Sequence, residues 1–400
     1  MSKNIAITGM GIVSAIGMNV AETLSALKGN KHGISRVENI DTILKDKIYV
    51  GEIKKSNQEL LDILRIKDPS NNFSRTTMLG AIAIQEAVEQ AEIDVKNESS
   101  IGFINSTTVG GMDIIENYYF DFHDREDLQH YITIYDAGTN TNILSEYLGI
   151  NGFVTTISTA CSSAANAIML GARMIENGRL DKVIVGGMDA LCKFTMNGFN
   201  TLMILSDTLN QPFDDNRKGL NLGEGAAYLV LESEKSYKER GKKPIAYLSG
   251  YANANDAFHQ TASSENGEGA FLAMKNAFEL AKMSPSQVDY VNVHGTATPN
   301  NDLSEGRAMI ELFGEGNIPK FSSTKPFTGH TLAAAASVEA VFSVLSLKHG
   351  LIYPNLNFST KMKEFDLVPQ LELEYANVST ILSNSFGFGG NCSSLIFEKA

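Results

Sequence analysis

The alternation of apolar and polar positions along the 400-residue chain predicts strands and helices that follow one another in two similar halves, residues 1–243 and 244–400. Short apolar, β-branched runs predict the strands of the first half, at 5–8, 100–105, 154–157, 182–187 and 226–231. Strands of the second half are predicted at 245–251, 288–293, 320–322, 381–383 and 394–398. Apolar residues at helical spacing predict the clearest helices at 79–91, 164–175, 269–281 and 303–313, with a further long helix reaching Gly350.

The predicted order of elements also places several polar or reactive residues together. Strands that alternate with helices favour parallel pairing, with helices covering both faces of the sheet. Ligands of such sheets bind at the carboxyl ends of the strands. Cys161, His294, His330 and Phe386 each follow a predicted strand. We therefore expect these four residues, which are distant in sequence, to lie at one face of the molecule.

Composition excludes several classes of protein. A chain of 400 residues with 43% hydrophobic content can bury a large core, and a net charge of −13 argues against nucleic acid or an anionic membrane as partner. The three cysteines, Cys161, Cys192 and Cys392, form no disulfide framework, which fits reduced thiols in the cytoplasm. No secretory signal precedes the first strand, and no apolar run approaches the length of a membrane span. These features predict a soluble cytoplasmic protein.

A glycine pair near the N-terminus, Gly9-x-Gly11, follows the first strand. It lacks the third glycine of a dinucleotide-binding loop at the required spacing, so we discard a dinucleotide site.

Cys161 lies where the β-branched run at 154–157 gives way to small residues and then to the helical pattern at 164–175. Unpaired backbone N–H groups and the positive end of a helix dipole favour the thiolate of a nucleophile at such a position. Small neighbours would let a substrate approach. The local sequence leaves open the alternative that Cys161 is a buried residue that packs as a small hydrophobic side chain.

Several motifs occur in order along the chain, and together they resemble those of one enzyme family. The motifs are Thr159-Ala160-Cys161-Ser162-Ser163, Pro212-Phe213-Asp214, Gly223-Glu224-Gly225-Ala226, His294-Gly295-Thr296-Ala297-Thr298-Pro299, Ser323-Thr324-Lys325, Thr328-Gly329-His330-Thr331-Leu332 and Asn384-Ser385-Phe386-Gly387-Phe388-Gly389-Gly390. The family is that of the elongating β-ketoacyl-acyl-carrier-protein synthases, which are thiolase-like condensing enzymes. The resemblance implies a thiolase-like α/β fold, in which two similar βαβαβαββ halves pack as a layered α/β/α/β/α structure.

The resemblance implies a decarboxylative Claisen condensation with malonyl-acyl carrier protein, as in fatty acid elongation. Cys161 would hold the acyl chain, and His294 and His330 would donate N–H bonds to the enolate left by loss of CO₂. Backbone N–H groups of Cys161 and Phe386 would form a separate oxyanion hole, and the Phe386 ring would gate the acyl pocket. Lys325 would support the histidines. No cofactor and no metal ion are expected.

Other residues receive supporting roles from the same resemblance. Glu339 is implied to interact with Lys325, although a solvent-facing position for Glu339 is an equal alternative. Thr296 and Thr298 belong to the first histidine motif and are expected to support the site. The acyl pocket is implied to be lined by Thr108, Val109 and Phe199, and to be completed by the second subunit of a homodimer.

Two segments depart from the family pattern, and the docking surface is weakly marked. Ala333–Ala336 stand where the family has glycines, which questions close backbone approach there. Asn391-Cys392 replaces a Thr-Asn pair and is expected to remove a side-chain amide that braces the active-site loop. The candidates for docking an acidic carrier are Arg65, Lys67 and Arg75.

Three related functions are weighed against the elongating synthase. A thiolase would carry a second catalytic cysteine before its C-terminal glycines, whereas Cys392 follows them. A non-catalytic chain-length partner subunit would lack the nucleophile. An initiating synthase would pair a single histidine with an asparagine. Within the elongating class, a specialised polyene or polyketide pathway is the alternative to fatty acid synthesis.

Overall fold

The computed structural model describes residues 5–67, 73–98, 101–122 and 124–400. Its strands are β1 (Ile5–Ser14), β2 (Ile34–Arg36), β3 (Tyr49–Gly51), β4 (Ile101–Ser106), β5 (Val154–Ile157), β6 (Lys182–Asp189), β7 (Leu222–Gly223), β8 (Gly225–Glu232), β9 (Ala246–Asn255), β10 (Tyr290–Asn292), β11 (Lys320–Ser322), β12 (Leu351–Ile352), β13 (Glu374–Tyr375), β14 (Thr380–Gly387) and β15 (Asn391–Lys399). Ser100, where the second strand is predicted to begin, lies outside the described residues.

The helices lie between these strands, as the spacing of apolar positions predicts. They are α1 (Val20–Lys28), α2 (Asn57–Leu64), α3 (Arg75–Ala91), α4 (Met112–Tyr118), α5 (Ala137–Leu148), α6 (Ser163–Glu176), α7 (Lys193–Thr201), α8 (Glu234–Glu239), α9 (Glu268–Ala281), α10 (Pro299–Phe313), α11 (Lys325–Thr328) and α12 (Ala335–His349).

Ten strands form one sheet, in the order β11-β10-β14-β15-β9-β1-β8-β6-β4-β5. In each half the five strands follow the same spatial order, so the two halves are topological repeats. The repeats meet where Ile5–Ile7 of β1 pairs antiparallel with Ala246–Leu248 of β9. The sequence therefore correctly predicts two similar halves of one α/β fold.

The prediction that the strands pair in parallel is correct for only part of each half. β4 pairs parallel with β5 and β6, and β10 pairs parallel with β11 and β14. The last strand of each half, β8 or β15, is antiparallel to both of its neighbours. The reason is clearest for β15, because the Phe388–Gly390 turn before it is too short to cross the sheet.

Helices α6 and α12 occupy the middle of the molecule and contact strands of both repeats. One continuous apolar cluster joins them to both halves of the sheet; it contains Val185 and Leu229 from the first repeat, and Leu395 and Phe397 from the second. Helix α3 covers the outer face of β1 and β8, and α9 covers β9 and β15. The result is an α/β/α/β/α layering whose central helices both begin near the candidate site.

The Gly9-x-Gly11 pair serves this packing. A Cβ atom at Gly9 would lie 2.2 Å from the carbonyl oxygen of Ala87, and one at Gly11 would lie 2.0 Å from that of Ala83. Both carbonyls belong to α3, so the glycines let this helix lie close against β1.

The segment Leu332–His349 is long and apolar enough to span a membrane, contrary to the prediction that no run approaches that length. Almost all of it is buried among other parts of the protein. Its apolar surface is therefore explained by its place in the central layer.

Candidate active site

Cys161 lies in the sharp turn between β5 and α6. The preceding residue, Ala160, has a left-handed backbone conformation with φ of 51°. The side chain of Ser163 holds this turn, because its hydroxyl donates to the Ala160 carbonyl at 2.6 Å and accepts from the Thr159 N–H at 2.8 Å. Only 6% of Cys161 is exposed. The structure thus places the thiol at the helix start, as the sequence predicts, within a nearly closed interior.

The protonation state of the Cys161 thiol differs from the sequence-based expectation. Burial raises the pKa of Cys161 to about 11, and this effect outweighs the nearby positive charge of Lys325 and the backbone N–H of Phe388, which both lower it. Desolvation opposes the charged form more strongly than a single helix start favours it. The resting thiol is therefore protonated at neutral pH, and the expectation of a preformed thiolate is wrong.

His294 follows β10 and is positioned through its backbone. The buried carboxylate of Glu305 accepts the N–H groups of His294 and Gly295, each at 2.9 Å. The Asn384 side chain donates to the same carboxylate at 3.1 Å. Burial raises the pKa of Glu305 to about 7. Glu305, in α10, thus connects the histidine loop to β14, a role that the sequence analysis did not identify.

His330 follows the short helix α11, and its backbone is held by the first repeat. Its N–H donates to the Asn221 carbonyl at 2.8 Å, and its own carbonyl accepts the Gly223 N–H at 2.9 Å. The rings of His294 and His330 lie 5.4 Å apart, nearly perpendicular to each other. Burial and the charge of Lys325 hold the pKa of both imidazoles well below the usual value. Both rings are therefore neutral at physiological pH.

Lys325 and Glu339 form a buried ion pair behind His294. The Lys325 ammonium contacts the Glu339 carboxylate and lies 3.2 Å from Nδ1 of His294. Both side chains of the pair are almost completely buried. The hydroxyl of Ser385 donates to the second carboxylate oxygen of Glu339 at 3.3 Å. The solvent-facing alternative for Glu339 is therefore wrong, and Lys325 is placed to orient the His294 ring.

Two cavities meet at Cys161. The outer cavity, of about 370 Å³, contains His294, His330, Thr296 and Thr298 in its walls. The inner cavity, of about 700 Å³, is lined by Thr108, Val109 and Leu332, among others. Cys161, Phe199 and Phe388 line both cavities. The structure therefore brings the predicted nucleophile, both histidines and the predicted pocket residues to two adjoining cavities that share the thiol, while Lys325 lies behind His294 and lines neither cavity.

Phe388, rather than Phe386, lies at this junction. The Phe388 backbone N–H lowers the pKa of the Cys161 thiol, and the Phe388 ring stacks on Phe199 with a centroid separation of 5.8 Å. The centroid of the Phe386 ring instead lies 5.7 Å from that of His294, and Phe386 lines the outer cavity but not the inner one. The sequence motif contains two phenylalanines two residues apart, and the expectation that Phe386 provides the gate and the oxyanion donor is wrong.

Asn391 supplies a side-chain amide that braces the active-site loop, although the replacement of the family's Thr-Asn pair by Asn391-Cys392 predicts that this amide is missing. Its side-chain oxygen accepts the hydroxyl of Ser162 at 2.7 Å and the amide of Asn166 at 2.8 Å. These contacts connect the C-terminal loop to the first turn of α6. The bracing group is therefore present, one position earlier in the chain than expected. Ala333–Ala336 are all buried, so their methyl groups are accommodated.

The three candidate docking residues divide into two kinds. Arg65 and Lys67 are exposed. Arg75 is 9% exposed and makes a two-point ion pair with Glu224, at 2.7 and 2.9 Å. Arg75 is therefore a structural residue, and the prediction that it docks a carrier is wrong.

Comparison with known proteins agrees with this geometry. Residues 2–236 match the family Beta-ketoacyl synthase, N-terminal domain, and residues 245–359 match Beta-ketoacyl synthase, C-terminal domain. The chain is 35% identical to 3-oxoacyl-[acyl-carrier-protein] synthase 2 of Staphylococcus aureus (strain N315), over all of this chain and 99% of that protein. It is 33% identical to the synthase of the same name from Vibrio cholerae, over the full length of both. The chain therefore belongs to the β-ketoacyl synthase family of enzymes.

Solved structures show the same fold. The ishigamide ketosynthase/chain length factor superposes with a TM-score of 0.91 at 26% identity, over all of both chains. The ketosynthase ApeO in complex with its chain length factor ApeC, from Xenorhabdus doucetiae, gives a TM-score of 0.86 at 30% identity, over 100% of this chain and 98% of that one. The thiolase-like fold implied by the motifs is thus confirmed.

Proposed function

We propose that this enzyme joins an acyl chain held on Cys161 to a malonyl unit on acyl carrier protein, and so elongates fatty acids. One observation carries the proposal: a buried cysteine and two neutral histidines line one cavity, with a lysine–glutamate pair behind the first histidine. A thiol can hold an acyl group as a thioester, and two neutral imidazoles can donate N–H bonds to an enolate oxygen. The full-length similarity to the two 3-oxoacyl-[acyl-carrier-protein] synthases supports the same reaction.

The first half-reaction loads the enzyme. The Cys161 sulfur attacks the thioester carbonyl of the acyl carrier, the bond from that carbonyl to the carrier sulfur breaks, and the carrier thiol leaves with the proton lost by Cys161. Negative charge that develops on the carbonyl oxygen is stabilised by the backbone N–H groups of Cys161 and Phe388. The acyl chain then occupies the inner cavity, beside Thr108, Val109 and Phe199.

The second half-reaction forms the carbon–carbon bond. Loss of CO₂ from the malonyl thioester leaves its electron pair as an enolate, whose oxygen accepts N–H bonds from His294 and His330. The enolate carbon attacks the Cys161 thioester, the bond from carbon to the Cys161 sulfur breaks, and the β-ketoacyl product remains on the carrier. Lys325 keeps Nδ1 of His294 as an acceptor, so that Nε2–H is the donor toward the substrate.

The enzyme is also proposed to act as a cytoplasmic homodimer that receives its substrates from acyl carrier protein. Among the described strands β5 pairs only with β4, so its other edge is free to join a second sheet. Phe153 beside it is 41% exposed. Replacing Phe153 with Glu should increase the monomer fraction in sedimentation experiments. Leu280→Glu, at a residue 40% exposed on α9, is the matched control and should leave the dimer intact.

Carrier docking is proposed at Arg65 and Lys67. Charge reversal at both should raise the KM for acyl carrier protein, because the carrier is acidic, and should leave the reaction with a small thioester unchanged. Equal losses with both substrates would reject this surface.

The same chemistry in a specialised polyene or polyketide pathway is the second candidate. The similarity to ketosynthases solved with chain length factors favours it. Identifying the acyl chains that load onto Cys161 when the protein meets carriers of graded length separates the two.

The reaction is tested by separating its halves. Cys161→Gln should abolish condensation and retain malonyl decarboxylation, because the glutamine amide can occupy the place of the acylated cysteine. His294→Ala or His330→Ala should reduce decarboxylation by about 10²–10³. Loss of decarboxylation in Cys161→Gln as complete as in the histidine variants would contradict this division of roles.

A further inference from the structure

Asp189, the last residue of β6, is a completely buried carboxylate that the proposed reaction does not use. It receives hydrogen bonds from two loops. From the loop after β4 it accepts the hydroxyl groups of Thr107 and Thr108, each at 2.6 Å, and the N–H groups of Thr108 and Val109, each at 3.0 Å. From the turn after His330 it accepts the Ala333 N–H at 2.8 Å.

Residues of both loops line the inner cavity. Thr108 and Val109 line the cavity from one loop, and Leu332, which directly precedes Ala333, lines it from the other. Leu332 has a left-handed backbone conformation, with φ of 53°, which a leucine adopts only when its surroundings hold it there. The hydrogen bond from Ala333 to Asp189 is one such restraint.

The arrangement is selective for a side chain that accepts hydrogen bonds through both of its terminal oxygens. Each oxygen of Asp189 accepts at least one backbone N–H group, so the NH₂ group of an asparagine would face a backbone donor in either orientation. Burial raises the pKa of Asp189, and the hydrogen bonds from both threonines, Val109 and Ala333 oppose this rise. The carboxylate therefore depends on these donors, and the donors in turn are ordered by it.

We infer that Asp189 is a positioning residue that holds the two loops of the inner cavity wall in place relative to each other and thereby sets the acyl-chain lengths that Cys161 accepts. This inference rests on the proposed function, because it assigns the chain specificity of the same site. Asp189 itself touches no reacting atom. It acts through Thr108, Val109 and the Ala333 turn.

The decisive variants are Asp189→Asn and Thr108→Val. Each removes part of the network with little change in volume, and each should broaden the chain lengths loaded onto Cys161. The ratio of long-chain to short-chain loading rates should change by about tenfold, a change within the range by which a hydrophobic pocket discriminates substrates. Thr108→Ser retains the hydroxyl and should therefore keep the wild-type ratio of loading rates.

The control is Glu232→Gln. Glu232 is also a completely buried carboxylate, and it accepts the Thr8 and Ser236 hydroxyl groups at 2.6 and 2.8 Å. It is the last residue of β8 and does not line the inner cavity. Its replacement should lower the unfolding midpoint and leave the chain-length ratio unchanged. The variants are compared by loading assays with short, medium and long acyl carriers, alongside thermal unfolding.

The outcomes separate the inference from the reaction. An Asp189→Asn protein that folds and loads every chain length in wild-type proportions would overturn the positioning role and leave the condensation reaction intact. A wild-type protein that neither loads acyl chains nor releases CO₂ from malonyl carrier would instead reject the proposed function. The inference is supported if Asp189→Asn changes the ratio of long-chain to short-chain loading rates, while Thr108→Ser and Glu232→Gln keep the wild-type ratio.

Discussion

Nζ of Lys325 lies 3.2 Å from Nδ1 of His294, and both side chains are buried. An ammonium has only donors, so this nitrogen of the imidazole must accept. The proton of neutral His294 is therefore on Nε2. The contact thus determines the tautomer of the ring, while burial, together with the charge of Lys325, keeps the ring neutral.

The first prediction concerns this contact. Lys325→Met should raise the pKa of His294 toward its ordinary value, because the ammonium that disfavours the imidazolium is gone. In NMR titrations over about pH 5 to 8, His294 of the wild-type protein should stay neutral, whereas the variant should gain a proton as the pH falls. Glu339 is left unpaired in this variant and raises the His294 pKa further.

The double variant Lys325→Met/Glu339→Gln isolates the effect of the lysine. It lacks both charges, so its His294 pKa should lie between that of the wild type and that of the single variant. A single variant whose His294 remains neutral over the whole range would show that burial alone controls the ring.

The second prediction concerns thiol reactivity. Because burial raises the pKa of Cys161 to about 11, only about 10⁻⁴ of the thiol is ionised at pH 7. Alkylation by iodoacetamide should be slow at neutral pH and should accelerate about tenfold per pH unit. Cys161 should still react before Cys192, whose pKa burial raises to about 12, and before Cys392, whose pKa is raised as well. Peptide mapping gives the order, and early labelling of Cys392 would contradict it.

The third prediction separates the two phenylalanines. Phe388→Ala should widen the junction of the outer and inner cavities and impair acyl loading, because the ring that packs on Phe199 beside Cys161 is lost. Phe386→Ala should instead affect decarboxylation, because this ring packs against His294. Single-turnover loading and CO₂ release, measured separately, provide the comparison. The reverse pattern would return the gate to Phe386.

The fourth prediction concerns Arg75. Its removal leaves the Glu224 carboxylate buried without its cation, which costs about 3–5 kcal/mol of stability. Arg75→Met should therefore lower the denaturation midpoint strongly, and the double variant Arg75→Met/Glu224→Gln should recover part of the loss. If the single variant keeps full stability and binds acyl carrier protein poorly, Arg75 is a docking residue after all.

Much of the site could be predicted because its signals are local. The turn at Cys161 follows from a β-branched run that changes to small residues. His294 follows β10 closely, whereas His330 follows β11 only after the short helix α11. Strand and helix spacing likewise predicted two repeats. The antiparallel direction of β15 was missed because β14 and β15 were predicted only at 381–383 and 394–398, and these shorter spans hid the short turn between the two strands.

Other features depend on contacts between distant segments. The two phenylalanines at 386 and 388 have similar neighbours in sequence, and only the fold shows which of them faces the thiol. The pKa of Cys161 depends on how completely the surrounding repeats bury it. Arg75 is charged and precedes an amphipathic pattern, so nothing in the sequence shows that Glu224, 149 positions away, pairs with it.

Strand β7 lies in the first repeat, yet its Gly223 N–H donates a hydrogen bond to the backbone carbonyl of His330 in the second repeat. A Cβ atom at Gly223 would lie 2.2 Å from the Thr328 carbonyl oxygen, so only glycine permits this contact. Together with the apolar cluster shared by α6 and α12, it makes the repeats mutually dependent. A chain divided near residue 243 would therefore yield two fragments that each lack part of their interior, and fragment complementation, rather than independent folding, would be needed to restore the enzyme.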